Sequence, residues 1–186
     1  MSSKRTDILD AALRLFAARG FYGTTMPELA REASVGAGTI YRHFDSKETL
    51  VNVLYQQWKA RITAEVYGDL PTDLPWRRRF SILWERLFAF AQEHPLAISF
   101  VDLHYHSDYL DETSRQVEAL SAATLLGLVM EGQAEEILVD MPPAVLIAMV
   151  YSAFLGILRA SQTGYATLTP ELIRTAEERI WAMIRR

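Results

Sequence analysis

The sequence predicts an all-α fold, and three observations carry that prediction. Apolar residues recur at three- and four-residue intervals along most of the chain, as on one face of a helix. Glycine and proline fall where such runs start and stop. No stretch shows the strict alternation of a half-buried strand, and no segment repeats another. With 186 residues, half of them apolar, the chain can bury a sizeable core without a disulfide or metal staple.

Each element has its own signal. Over Thr6–Arg19, Ile8, Ala12 and Leu15 share a helical face with Phe16 beside them, and Gly20 supplies the C-terminal stop. Thr25 and Glu28 have capping-box spacing and Pro27 sits in the first turn, so a short helix runs from there to about Ala33. Ser34-Val35-Gly36 makes a tight break before a third short helix, Ala37–His43. Asp45 and Glu48 repeat the capping spacing and open a long fourth helix towards Val66. The stretch from Gly68 to Pro75, with Pro71, reads as a loop. Helices are then predicted over Trp76–His94, Pro95 to about His106, Asp111 to about Met130, Pro143 to about Gln162, and Thr169–Arg185.

Composition narrows the function classes. There is no cysteine, which excludes disulfides, thiolate zinc sites and thiol redox sensing, and suits a reducing cytoplasm. The opening MSSKRTDILDAALRLF lacks the apolar run of a secretory signal, so no export is expected. Met141 to Leu158 is uncharged and reaches the lower edge of membrane-spanning length. Pro142 and Pro143 open that run and Ser152 and Gly156 interrupt it, which favours a helix buried in a bundle or a subunit interface. Net charge is −4 overall, yet residues 1–50 balance to +1 and the remainder to −5.

Three helices within 45 residues, the last two short and joined by a three-residue turn, meet the needs of a helix-turn-helix, in which the third helix enters the major groove. Residues 8–50, ILDAALRLFAARGFYGTTMPELAREASVGAGTIYRHFDSKETL, resemble the DNA-binding domain of the TetR family of bacterial transcription regulators. The resemblance rests on Phe16, Gly20 and Phe21; Thr24-Thr25; Glu28-Leu29-Ala30; Val35; Gly38-Thr39-Ile40-Tyr41; and Phe44-Asp45-Ser46-Lys47-Glu48 with Leu50. It implies a DNA-binding domain over 1–48, an effector-binding and dimerisation domain over 49–186, and a DNA-contact set of Thr25, Ala37, Gly38, Thr39, Tyr41, Arg42, His43 and Lys47.

Chemistry gives these residues plausible tasks. Thr25 at a helix start can offer its hydroxyl and nearby N–H groups to a phosphate. Thr39, Tyr41, Arg42 and His43 bring donors to base edges and phosphates, and Gly38 permits close backbone approach. Lys47 opposes the dipole of the helix it opens, an arrangement that a bound phosphate would reverse in sign. The chain departs from the family pattern at Ser34, where glycine is frequent, at Gly36, where serine is common, and at Ala37, in place of a polar or basic residue. Ala37 can meet a thymine methyl but forfeits a hydrogen bond to a base. Met1–Arg5 reads either as a basic arm reaching DNA or as a solvated tail, and Arg77-Arg78-Arg79 as a solvated helix start rather than a phosphate contact.

In the body, aromatic residues crowd the middle, and Trp84, Phe88, Phe100, His104 and Tyr105 are the candidate lining of a largely apolar effector pocket. The segment from Asp102 to Asp108 invites a metal reading. On a helix, however, His104 and His106 point some 200° apart, which argues for polar anchoring or helix-end hydrogen bonding, and no metal or cofactor is expected. Ala144–Gly156 is apolar nearly all round, with Ala153, Gly156 and Ala160 permitting close helix approach. Residues 143–162 and 169–185 together resemble the family's dimerisation pair, which implies a homodimer. The expected partners are operator DNA, a small effector and a second copy, with no membrane. The expected function is an effector-released repressor on a palindromic operator. A small helical hydrolase or metal enzyme around Asp102, His104 and His106 is the competing class, but no catalytic elbow, phosphate loop or HExxH supports it. A purely structural bundle would leave Thr25, Tyr41 and Lys47 without a task.

Overall fold

A computed structural model describes residues 3–186, and its described residues form nine α-helices: α1 (Lys4–Arg19), α2 (Met26–Glu32), α3 (Ala37–His43), α4 (Lys47–Ile62), α5 (Trp76–Glu93), α6 (Pro95–His104), α7 (Glu112–Ala134), α8 (Pro143–Gln162) and α9 (Pro170–Ile184). The all-α prediction holds. α3 and α8 fall where the sequence placed them, and α7 runs one turn beyond its expected end. α4 departs from expectation at both ends. Its N-cap is Ser46, whose hydroxyl accepts from the Thr49 amide, rather than Asp45. At its far end the α-helix stops at Ile62, and a π-helical turn covers Thr63–Tyr67. Lys4 and Arg5 belong to the first turn of α1, capped by Ser3, and the Arg5 guanidinium lies 5.3 Å from the Phe44 ring. The expected arm is therefore helical over those two residues, while Met1 and Ser2 lie outside the described residues.

Contacts gather the chain into two compact units, residues to 64 with 90–120, and 65–89 with 121–186. This grouping does not follow a division at 48/49, because α4 and α6 both pack on α1. In the first unit Ile8, Ala12 and Phe16 of α1 are fully buried alongside Leu29, Ile40, Leu50 and Phe100. Phe16 stacks at 6.3 Å on Phe100 of α6, which fixes α1 against α6.

In the second unit Val129, Leu138, Leu146 and Ile184 form a core, with Phe80, Val150, Ile180 and Trp181 packed on it. Phe88 meets the buried Phe154 edge-on at 5.0 Å, and the Trp84 indole N–H donates to the Ile173 carbonyl at 2.9 Å. The arginine run is not a solvated helix start. Arg79 is 2% exposed, pairs with Glu131 at 2.8 Å and lies 4.0 Å from the Trp76 ring; Arg77 makes a two-pronged pair with the buried Glu177, and Arg78 alone is exposed. A guanidinium can be buried here because its planar fork meets a carboxylate on one side and an indole on the other.

α8 behaves differently from the other long helices. Leu146 and Phe154 are its buried residues, while Ala144, Val145, Ala148, Met149, Ser152 and Gly156 are exposed. It is the one helix among the described residues long and apolar enough to cross a membrane, and little of it is buried within the chain.

Candidate nucleic-acid interface

The first three helices are set by local chemistry. Gly20 ends α1 with φ 68°, a left-handed conformation that glycine adopts without a Cβ penalty. The Thr24 hydroxyl donates back to the Gly20 carbonyl at 2.9 Å, closing the turn. At the start of α2 the Thr25 amide and hydroxyl both donate to Glu28, at 3.0 and 2.8 Å, and these bonds hold the Glu28 carboxyl below the usual range. Ser34 then carries the chain through the turn with φ 53°, which explains why glycine suits this position and marks serine as strained.

α3 is anchored by one residue and open elsewhere. Ile40 is fully buried; Ala37 and Tyr41, one turn apart, are exposed, as are Gly38 and Arg42, while Thr39 and His43 are half-buried. Tyr41 is 51% exposed, an unusual setting for a large aromatic, and Arg42 pairs with no acid among the described residues. Its N-cap, Gly36, offers no side-chain cap, and a methyl group built on Gly36 or Gly38 would meet nothing within 4 Å. Neither packing nor backbone conformation demands glycine at either position. The outer face is thus a low ridge (Gly36, Ala37, Gly38) followed by a phenol and a guanidinium. Such a surface can enter a groove and donate to bases or phosphates.

Two residues of the expected contact set prove to be engaged within the chain. The Thr25 hydroxyl gives its proton to Glu28, so an incoming phosphate must compete with that bond. The Lys47 ammonium donates to the Phe21 and Thr24 carbonyls, at 2.9 Å each, and lies 4.1 Å from the Phe21 ring centroid. Its task in the fold is to staple the turn before α2 to the start of α4. One of its N–H donors is left for a phosphate.

The expected effector residues divide between the two units. Trp84 and Phe88 are buried in the second unit, while Phe100, His104 and Tyr105 belong to the first. His104 has no exposed surface, its Nδ1 bonds the Tyr109 hydroxyl, and burial among rings such as Phe16 and Phe100 pushes the imidazole down to about 4, the Phe16 carbonyl offsetting a little. Tyr105 is half exposed and covers His106, whose Nδ1 faces Glu118 at 3.3 Å. The two histidines therefore serve different surroundings, and the described residues hold no group of three metal-ligating side chains.

Several buried polar residues escaped the sequence reading. Asn52 of α4 donates to the Glu48 and Tyr109 carbonyls and accepts from the Asp111 amide and the Ser114 hydroxyl, so all four of its bonds are made inside the chain. Glu118 of α7, 8% exposed, accepts from the Tyr55 hydroxyl at 3.1 Å. An asparagine inside the run Leu50-Val51-Asn52-Val53-Leu54 was the available signal for the first. No comparable pattern marks Glu118.

Comparison with known proteins agrees with this geometry. Residues 8–54 match the family model described as "Bacterial regulatory proteins, tetR family", and residues 55–186 match "Tetracyclin repressor-like, C-terminal domain". The HTH-type transcriptional repressor KstR2 of Rhodococcus jostii is 47% identical over 51 residues, 27% of this chain and 25% of that protein. An uncharacterized HTH-type transcriptional regulator of Haemophilus influenzae is 31% identical over 103 residues, 53% of this chain and 55% of that protein. The match thus spans a quarter of the first relative and about half of the second. Among solved structures, a tetR family transcription regulator from Shewanella sp. PV-4 aligns over 100% of both chains with TM-score 0.82 and 24% identity. One from Marinobacter aquaeolei VT8 aligns over 98% of this chain and 95% of its own with TM-score 0.87 and 21% identity, and both share the fold.

Proposed function

Because the chain belongs to the TetR family and is a DNA-binding transcription regulator, we propose that it is a cytoplasmic repressor that binds a palindromic operator as a homodimer and leaves it when a small, largely apolar effector binds. The observation that carries this reading is the outward face of α3. Tyr41 and Arg42 stand exposed beside a ridge without bulky side chains, supported from within by the buried Ile40. In this proposal residues 1–48 are the reading head and 49–186 the effector-binding and dimerisation body. Ala37, Gly38, Tyr41 and Arg42 face bases, while Thr25, Thr39, His43 and Lys47 face phosphates.

The exposed, uncharged side of α8 supports the homodimer. Val145, Ala148, Met149, Ser152 and Gly156 form a stripe that water does not favour and that a second helix could approach closely. A subunit seam through 143–162 and 169–185 accounts for that stripe without a membrane. For the effector, Tyr105 is the accessible one of the five expected residues, and Trp84, Phe88, Phe100 and His104 are buried. Release follows from linkage: an effector that prefers a dimer whose heads do not match the groove spacing shifts the population by its differential affinity, and DNA disfavours that effector in return.

Selection from random-sequence duplexes tests the reading. The expected outcome is an inverted repeat whose half-sites lie about one helical turn, roughly 10 base pairs, or a multiple of it apart. Recovery of unenriched sequence by a folded, dimeric protein would overturn it.

A further inference from the structure

The helix-turn-helix is held in place in part by a residue that lies far along the chain. Tyr109, in the segment between α6 and α7, stacks on Phe21 with ring centroids 4.1 Å apart and planes 22° from parallel. The Lys47 ammonium lies 4.1 Å from the same Phe21 centroid, so Phe21 is packed between a phenol and a cation. Lys47 in turn holds the Phe21 and Thr24 carbonyls, and the next residue, Thr25, caps α2, against which α3 packs. Tyr109 is itself fixed at both ends. Asn52 of α4 donates to its carbonyl at 2.8 Å, and its hydroxyl bonds His104 of α6. The neighbouring Asp108 accepts from the Tyr22 hydroxyl at 3.1 Å, a second tie between this segment and the turn before α2.

We propose that Tyr109 is a positioning residue for DNA recognition, acting through the Tyr109–Phe21–Lys47 column to set the orientation of the helix-turn-helix. The physical reason is packing. Tyr109 stacks on Phe21 and holds that ring where the Lys47 ammonium meets it, so the cation keeps both the ring and the two carbonyls. Without the stack the Phe21 ring is free to turn, Lys47 loses its aromatic partner, and the staple on the turn before α2 loosens. The head then still carries its positive side chains, but α3 no longer sits at one angle to the groove.

This inference rests on the operator-binding reading above, so its test has one arm with DNA and one without. Tyr109→Leu keeps apolar volume but has no flat face. It is expected to weaken binding to the selected operator about tenfold, a coupling of ordinary size for residues in contact, while binding to a random duplex stays within about twofold. Tyr109→Phe, which keeps the stack, is expected to bind like the wild type. Lys47→Met, which also removes a phosphate contact, is expected to cost less in the Tyr109→Leu background than in the wild type. Operator binding by Tyr109→Leu equal to wild type, or losses that simply add, would overturn the proposal. If Tyr109→Leu loses its helical circular-dichroism signal, Tyr109→Met takes its place under the same criteria. The arm without DNA is labelling of Lys47 by an amine-reactive ester, read by peptide mass spectrometry. Faster labelling in the Tyr109 variant is expected, and an unchanged rate overturns the column even if no operator is found.

Discussion

Replacing Gly38 with alanine separates what the fold needs from what DNA needs. Gly38 is the second residue of α3, is exposed, lacks a left-handed φ, and has nothing within 4 Å of an added methyl. The protein alone therefore has no reason to keep glycine there. A glycine-to-alanine change at a compatible backbone position stabilises by about 0.4–1 kcal/mol, chiefly by restricting the unfolded chain. For a chain of this size that is a rise in melting temperature of about 1–4 °C. Against DNA the sign reverses. If the groove wall lies against the Gly38 backbone, the new methyl overpacks the contact at a cost of roughly 1–3 kcal/mol, or about five- to 150-fold in operator affinity. Thermal melting followed by circular dichroism and operator titration by fluorescence anisotropy measure the two effects on the same preparation. Gly127→Ala is the control, because Gly127 is also exposed and open within a helix but lies far along the chain, in α7. It is expected to raise stability without altering operator binding. A Gly38→Ala protein that melts higher and binds its operator like the wild type would refute the close approach.

Three further outcomes follow from other parts of the molecule. Ser34→Gly relieves the φ of 53° in the helix-turn-helix turn and is expected to raise the melting temperature by about 2 °C with operator binding intact; a lower melting temperature would mean that serine is not strained there. His104 is held neutral, its folded value pushed down to about 4 from an ordinary value of 6.5, so the unfolded chain binds the extra proton between those limits. Its contribution to stability is intact above pH 6.5 and is lost as pH falls towards 4, with a slope approaching 1.4 kcal/mol per pH unit. Urea denaturation across this range is expected to show that loss, and His104→Phe to flatten it; equal slopes in both proteins would rule His104 out as the source. Met149→Arg places a cation on the exposed face of α8, where burial against a second copy would cost several kcal/mol. It is expected to yield folded monomers by analytical ultracentrifugation, with operator affinity lost; a persistent dimer would move the seam elsewhere.

How much of this was legible in the sequence varies with the range of the interaction. α3 was readable to the residue because its limits are local: Gly36 before it, and Phe44 turning to an extended conformation after it. The capping of α2 by Thr25 and Glu28 was legible for the same reason. Lys47 shows where such reading stops. Its place in the first turn of α4 was plain, but its carbonyl partners lie 23 and 26 residues away, and no spacing rule connects them. The arginine run failed similarly: Glu131 and Glu177, which bury Arg79 and engage Arg77, are distant in sequence, and three adjacent arginines look like a solvated face until those acids arrive. The effector set drew on an aromatic-rich composition, which marks burial but does not say which aromatics share a wall. Trp84 packs against Phe88, and Phe100 against His104, pairings that composition alone does not give.

The central claim is that the outer face of α3 reads a specific DNA sequence, and the most direct test is binding to the selected operator across a salt series, with Tyr41→Ala in parallel. Affinity should fall linearly on logarithmic axes with a slope of about −0.9 for each phosphate contact. The Tyr41 variant should lose operator affinity while its binding to random duplex is retained. Equal affinity of the wild type for operator and random duplex at every salt concentration, or an operator affinity indifferent to Tyr41, would contradict the account.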